Sequence, residues 1–282
     1  MEPWIYVFDL FCAVGLCWIF LIEPNAFQIQ TWRLNFPRKL NRKYRILHLT
    51  DIHFSQPRKT LSKFFDRLSS ETWDFIFLTG DIFDCNQGAK TGIEELKKLK
   101  SNFGTYAVFG NHDHFNYRFK DILHTLGHFP DKRNDIELLQ SALESAGVEV
   151  LRNRSVSPKV KTDAILIHGL DDPVTDHADY EKICAVLDSD KFNILLTHTI
   201  DAFLHLPEDA VQISFSGHSH GGQVRIPGWG AFITHTRFGK DFAQGMHKLK
   251  GAVCIVSRGM GTSRYFTFRL FCKPQAVVAE IG

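Results

Sequence analysis

Short apolar runs bounded by polar turns recur along the chain: Arg45–Thr50 (RILHLT), Asp74–Thr79 (DFIFLT), Tyr106–Phe109 (YAVF), Ala164–His168 (AILIH), Asn193–Thr197 (NILLT), Gln212–Ser216 (QISFS), Ala252–Ser257 (AVCIVS) and Gln275–Ile281. Such near-continuous runs, rich in Ile, Val and Phe, predict strands buried on both faces. Between some of them the spacing changes to three and four, with Leu61, Phe64, Phe65 and Leu68 on one helical face and Ile136, Leu139 and Leu143 on another. Strands alternating with helices predict an α/β fold. No internal repeat and no Pro/Gly/Ser-rich linker divides the chain after residue 44, so 44–282 is read as one domain.

Ahead of this body, Trp4–Ile22 (WIYVFDLFCAVGLCWIFLI) is apolar apart from Asp9 and long enough to span a bilayer or lie in its interface. No basic residue precedes it and no small-x-small site follows, unlike a cleaved signal peptide. Residues 1–22 are therefore expected to be a membrane anchor. Between Glu23 and Asp51 there is no acidic residue, whereas Arg33, Arg38, Lys39, Arg42, Lys43 and Arg45 are all basic. The positive-inside rule then puts the body on the cytoplasmic face of the inner membrane. On the same reading 23–43 is a basic juxtamembrane segment lying against anionic lipid headgroups.

Composition narrows the classes further. With 44% hydrophobic and 23% charged residues in 282, the chain is globular rather than disordered. A formal charge of +2 argues against a nucleic-acid partner. The six cysteines form no C-x-x-C pair and read as reduced thiols. The 25 phenylalanines leave open contact with lipid.

Polar clusters stand directly after the predicted strands. They are Asp51-Ile52-His53, Gly80-Asp81-Ile82-Phe83-Asp84, Gly110-Asn111-His112-Asp113, a lone His198, and Gly217-His218-Ser219-His220-Gly221-Gly222. In layered α/β proteins the carboxyl ends of parallel strands share one edge, so these clusters are expected to converge. Carboxylate, imidazole and amide groups without thiolate suit Mn²⁺ first, then Fe²⁺, Co²⁺ or Zn²⁺. The ligands are too many for one ion. Two ions about 3.5–4 Å apart, sharing a carboxylate, would use them all in phosphoester or phosphoanhydride hydrolysis.

The ordered set D-x-H, G-D-x-x-D, G-N-H-D, His and G-H-S-H resembles the calcineurin-like metallophosphoesterase superfamily from residue 46 to about 222. The resemblance implies a four-layer αββα sandwich of two mixed sheets flanked by helices, with a dinuclear site at the strand ends. It assigns Asp51, His53 and His220 to one metal, Asn111, His198 and His218 to the other, and Asp81 to a bridge. His112 would protonate the leaving oxygen with Asp84 orienting it, and Asp113 would be structural. His235 and Arg237, in the following THTRFG loop, are candidate contacts for the substrate phosphate.

The E-P pair after the anchor, the run GHSHGGQVRIP and an aromatic, Arg-containing C-terminal strand ending in VVAEI resemble the membrane-anchored bacterial branch of that superfamily. This implies cleavage of the pyrophosphate bond of UDP-2,3-diacylglucosamine in lipid A biosynthesis, releasing UMP and 2,3-diacylglucosamine 1-phosphate. The alternative is a general phosphodiesterase or phosphatase of nucleotides or envelope phosphates. A catalytically inactive scaffold is expected to have lost ligands, and all seven are present. The insert at about 114–134 places Phe115, Phe119, Ile122, Leu123 and Leu126 at helical spacing, so a lipid-facing cap is expected there, with Phe119 and Leu123 as substrate contacts.

Overall fold

The computed structural model of the chain describes residues 3–37, 39–118, 121 and 130–282. Every one of the eight runs contains a strand. In chain order the main strands are β1 (Gln28–Leu34), β2 (Tyr44–Leu49), β3 (Phe75–Thr79), β4 (Thr105–Val108), β5 (Val148–Val150), β6 (Arg154–Val156), β7 (Ile165–Gly169), β8 (Phe192–Leu196), β9 (Ile213–Ser216), β10 (Gly245–Leu249), β11 (Ala252–Val256) and β12 (Gln275–Ile281). They form two mixed six-stranded sheets, ordered β1-β12-β2-β3-β4-β5 and β10-β11-β9-β8-β7-β6. The strands that lead into the polar clusters run parallel: β2, β3 and β4 in the first sheet, and β8 beside β9 in the second.

Alternate side chains of each strand serve different layers. Ile46, Phe75, Phe77 and Val108 pack against Ile167, Phe192, Ile194 and Phe215, filling the space between the sheets. Their neighbours Leu47, Leu49, Ile76 and Leu78 face outward onto α2 (Lys59–Leu68), α3 (Gly88–Leu96) and the helix Ile136–Ser145. On the far side, Leu195, Cys254 and Val256 pack against Ile183 of Tyr180–Cys184 and Phe203 of the single-turn helix Ile200–Leu204. The result is a four-layer αββα sandwich. Both faces of the central strands are buried, which is why their sequences show no polar alternation. The phenylalanine excess serves this core as well as the N-terminal helix, where Phe8, Phe11 and Phe20 are exposed.

The helix α1 (Pro3–Cys17) continues through a π-helical turn into Glu23–Asn25, and Tyr6–Asn25 is long and apolar enough to cross a membrane. The segment that follows differs from a free juxtamembrane strip. Within 23–43, β1 pairs in parallel with β12, so this segment supplies the edge of the first sheet. Its charges are also engaged with the body: Arg33 pairs with Glu280 at 2.9 Å, Arg42 with Asp74 at 3.0 Å, and Lys39 donates to the Ser189 carbonyl. Arg45 pairs with Glu71 at 2.7 Å. The counter-charges lie far along the chain, where local charge counting does not reach.

Two further expectations shift. The C-terminal strand begins at Gln275, and the aromatic stretch before it is irregular, with Phe268 edge-on to Phe20 at 5.8 Å. Of the expected cap, Phe115 is buried in the body under the Arg133 guanidinium, while Phe119, Ile122, Leu123 and Leu126 lie outside the described residues.

Candidate metal centre

The chain turns sharply where β2, β3 and β9 end. Asp51, His53, Asp81, His218 and His220 all have positive φ, between 47° and 72°. Asp and His tolerate the left-handed region better than most residues, yet each such position costs about 1–3 kcal/mol. The turns point the side chains into one small volume instead of along the strands. Crowding there explains the flanking glycines. A Cβ on Gly217 would stand 2.2 Å from Asp51 Oδ2, and one on Gly80, itself at φ +83°, would stand 2.4 Å from His198 Nδ1.

Two groups of ligand atoms meet at Asp81. On one side Asp51, His53, Asp81 and His220 offer atoms within 4.8 Å of one another. His53 Nε2 lies 3.2 Å from His220 Nε2 and 3.7 Å from Asp81 Oδ2. On the other side His198 Nε2 lies 3.2 Å from His218 Nδ1 and 3.4 Å from Asp81 Oδ1. Each carboxylate oxygen of Asp81 thus faces a different group. Asn111, buried beside them, donates from Nδ2 to the Tyr117 hydroxyl at 3.2 Å, while its Oδ1 has no hydrogen-bond partner. An orphaned buried acceptor costs about 1–3 kcal/mol, and a cation at that oxygen would remove the penalty.

Ring orientation fits the same use. His53 Nδ1 is held by Asp84 Oδ1 at 2.8 Å and His198 Nδ1 by the Thr79 carbonyl at 2.9 Å. A neutral ring that donates from Nδ1 presents its Nε2 lone pair, here into the cluster. Donor type, tautomer and the orphaned oxygen therefore agree with a pair of divalent cations.

Burial pushes the Asp51 carboxyl up to about 6 and holds His218 and His220 well below the imidazole range. Burial likewise opposes charge on His53 and His198, but Asp84 and Asp81 outweigh it and raise these rings to about 9 and about 10. Conversely, burial disfavours the Asp81 and Asp84 carboxylates, yet the surrounding imidazoles keep both well below the carboxylate range. The carboxylates thus demand positive charge between them. Protons or metal ions can meet that demand, and metal binding would displace the protons.

The structure brings all seven expected ligands together with His112 and Asp84. His112 Nδ1 lies 3.0 Å from the same Asp84 oxygen that holds His53. Asp113 contributes no ligand atom: its carboxylate accepts from the backbone N–H of Gly110, Ile82 and Phe83, tying two site loops together. His235 stands beside His218, ring centroids 6.0 Å apart. Arg237 is exposed and held by its backbone N–H to Asp201, and no interaction joins its side chain to the cluster among the described residues.

Sequence reasoning missed three supports. Tyr117 stacks on His112 with centroids 4.3 Å apart and meets Asn111 through its hydroxyl. Its only sequence signal was an aromatic six residues beyond the Asn, absorbed into the apolar insert. Asp84 serves His53 as well as His112. Arg269, wholly buried, braces the turn behind His220 by donating to the carbonyls of Arg258, Gly261 and Cys272.

Comparison with known proteins agrees with this geometry. The chain matches the calcineurin-like phosphoesterase family over residues 44–222. It is 30% identical to the uncharacterized metallophosphoesterase YkuE of Bacillus subtilis, over 83% of this chain and 78% of the relative. It is 28% identical to the UDP-2,3-diacylglucosamine pyrophosphatase LpxG of Chlamydia trachomatis, over 95% and 93%, and 24% identical to the phosphodiesterase YaeI of Escherichia coli, again over 95% and 93%. With the buried Asp/His/Asn cluster at the strand ends as its candidate site, the chain is a metal-dependent phosphoester hydrolase and belongs to the calcineurin-like phosphoesterase family.

Proposed function

We propose that this protein is a membrane-associated, dinuclear-metal pyrophosphatase that cleaves UDP-2,3-diacylglucosamine to UMP and 2,3-diacylglucosamine 1-phosphate. The observation that carries this reading is the near-full-length likeness to the chlamydial pyrophosphatase, which extends beyond the family's matched region. An apolar helix able to enter a membrane gives a lipid-linked substrate physical access. The catalytic body lies on the cytoplasmic side in this reading, because residues 24–50 carry basic and no acidic side chains.

Asp51, His53 and His220 would hold one ion and Asn111, His198 and His218 the other, with Asp81 shared. When bound, the pair supplies Lewis-acid charge to the phosphoryl oxygens and to the attacking water, with Mn²⁺ as our first choice. The remaining work belongs to the chain. Asp84 accepts from His112 Nδ1 and orients that ring. Tyr117 fixes the plane of that ring from one face. The proton on His112 Nε2 then goes to the departing sugar-phosphate oxygen as the bond breaks.

The likeness to the Escherichia coli phosphodiesterase favours a second reading, a general phosphodiesterase. One experiment separates the two. Purified full-length protein with Mn²⁺ is given UDP-2,3-diacylglucosamine, bis(p-nitrophenyl) phosphate or a cyclic nucleotide. UMP release far above turnover of the other two is expected, and comparable turnover of all three would refute the pyrophosphatase reading.

A further inference from the structure

A cavity of about 690 Å³ opens from the metal centre toward the end of the N-terminal helix. His53 lines it on the side of the centre, and Phe20, Pro24 and Asn25 line it on the side of the helix. Arg58 and Arg264 also line it, and neither guanidinium pairs with a carboxylate among the described residues. Arg58 donates only to the Pro24 carbonyl at 3.4 Å and Asn25 Oδ1 at 3.2 Å. Arg264 donates to Asn116 Oδ1 and to the Tyr117 carbonyl at 2.8 Å, and its buried Nε has no partner. The fully buried Arg269 likewise meets only neutral acceptors on its Nη atoms, with its Nε unpartnered. Two guanidinium groups facing one cavity without a carboxylate partner carry a desolvation cost that an anion would offset.

The helix side of the cavity is apolar and fixed. Phe20 is half-exposed and packs edge-on to Phe268. Arg269 N donates to the Ile19 carbonyl at 3.1 Å, Cys272 N to Glu23, and Thr60 Oγ1 to Asn25 Oδ1 at 2.6 Å. The helix end is therefore docked on the body beside the site, with no free linker between them. The volume lies within the usual range for small-ligand pockets, enough for a phosphorylated headgroup but short of two acyl chains as well.

We infer that this cavity binds the headgroup of a lipid phosphate: one phosphoryl group sits at the metal centre, a neighbouring anionic group meets Arg58 and Arg264, and the acyl part leaves past Phe20 along the anchor. The N-terminal helix is then one wall of the substrate site, and the two arginines are specificity-determining residues. This rests on the phosphohydrolase reading of the centre and deepens it by naming how a lipid-linked substrate is recognised.

Binding to the full-length protein in neutral detergent micelles tests the inference. Dimyristoylglycerol pyrophosphate, a lipid with two adjacent phosphoryl groups, is titrated calorimetrically in one arm and inorganic phosphate in the other, using wild type, Arg58→Ala and Thr267→Trp. Thr267 is exposed on the cavity rim, so its replacement fills the opening without entering the core. Wild type is expected to bind the lipid phosphate about tenfold more tightly than inorganic phosphate, and each variant to weaken only the lipid by about tenfold. Metal content by elemental analysis and the circular dichroism spectrum of both variants should match wild type, so that weaker lipid binding reports the cavity and not a loss of fold. Equal affinity of wild type for the two probes, or lipid affinity unmoved in Thr267→Trp, would overturn the inference. Absence of UMP release would instead overturn the assigned substrate, because the binding arms do not depend on turnover.

Discussion

Replacing Asp84 with Asn should damage metal binding and proton delivery through two separable contacts. One Asp84 oxygen accepts from His53 at 2.8 Å and from His112 at 3.0 Å, while the other accepts from Arg264 N at 2.7 Å. An amide has a single acceptor oxygen, so in either orientation its NH₂ group faces a donor. Charge-assisted hydrogen bonds are roughly twice as strong as neutral ones, a difference of about 1–1.5 kcal/mol for each histidine, or about tenfold in each property. The expected result is a manganese affinity lower by about tenfold, within the range for outer partners of metal-bound histidines. At saturating metal, kcat for bis(p-nitrophenyl) phosphate should fall by about tenfold more. Combination with His112→Asn isolates the two effects. With His112 absent, Asp84→Asn should no longer lower kcat but should still weaken manganese binding, measured by competition with a fluorescent chelator. If Asp84→Asn left metal affinity unchanged in that background, the carboxylate would act through His112 alone and the argument would be refuted.

Three other perturbations have defined outcomes. Asp81→Ala removes the carboxylate that faces both ligand groups, and turnover should drop to background with less than two metal ions retained per chain by elemental analysis; retained activity would sink the dinuclear arrangement. Gly217→Ala forces a methyl against Asp51 Oδ2, so metal content should fall while circular dichroism still reports the fold, and full metal occupancy would show that the turn yields. His48 lies between the sheets with its pKa lowered by burial from 6.5 to about 3. The folded state then binds fewer protons than the unfolded chain, so the stability linked to His48 is present above pH 6.5 and lost as pH falls toward 3, at about 1.4 kcal/mol per pH unit. In His48→Gln the urea-unfolding free energy should fall less steeply between pH 6 and pH 4, and parallel slopes would contradict this.

What the sequence revealed, and what it hid, follows from the reach of each signal. Strands such as Phe75–Thr79 were legible because burial on both faces leaves a continuous apolar run, and the polar residue after each run marks where the chain emerges at the sheet edge. β1 was hidden because it is an edge strand whose few apolar residues, Ile29, Trp32 and Leu34, are out of period-two register and interrupted by polar residues inside a basic stretch. Its partner is the last strand of the chain, and Arg33 meets Glu280 only through that pairing. The dual role of Asp84 was hidden for a similar reason: its link to His53 spans 31 residues and depends on two loops folding toward each other. Tyr117 was hidden because it lies off the predicted helical face of Phe115, Phe119, Ile122, Leu123 and Leu126, and only the fold brings its ring onto His112.

The backbone strain at the centre connects these points. Five of the seven candidate ligands take a conformation that disfavours side chains, at about 1–3 kcal/mol each, in a protein whose net stability is only about 5–15 kcal/mol. Such a site cannot rely on the ligands' own preferences. It is held from outside by contacts that touch no reacting atom: Asp113 on three backbone N–H groups, Thr79 on His198, and Arg269 on the carbonyls behind His220. Arg269 also fastens the end of the N-terminal helix through its own backbone N–H to Ile19. The residue that stabilises the strained GHSH turn is thus also the one that fixes the helix end beside it, so the position of the N-terminal helix and the geometry of the candidate metal centre are set by the same buried side chain and backbone.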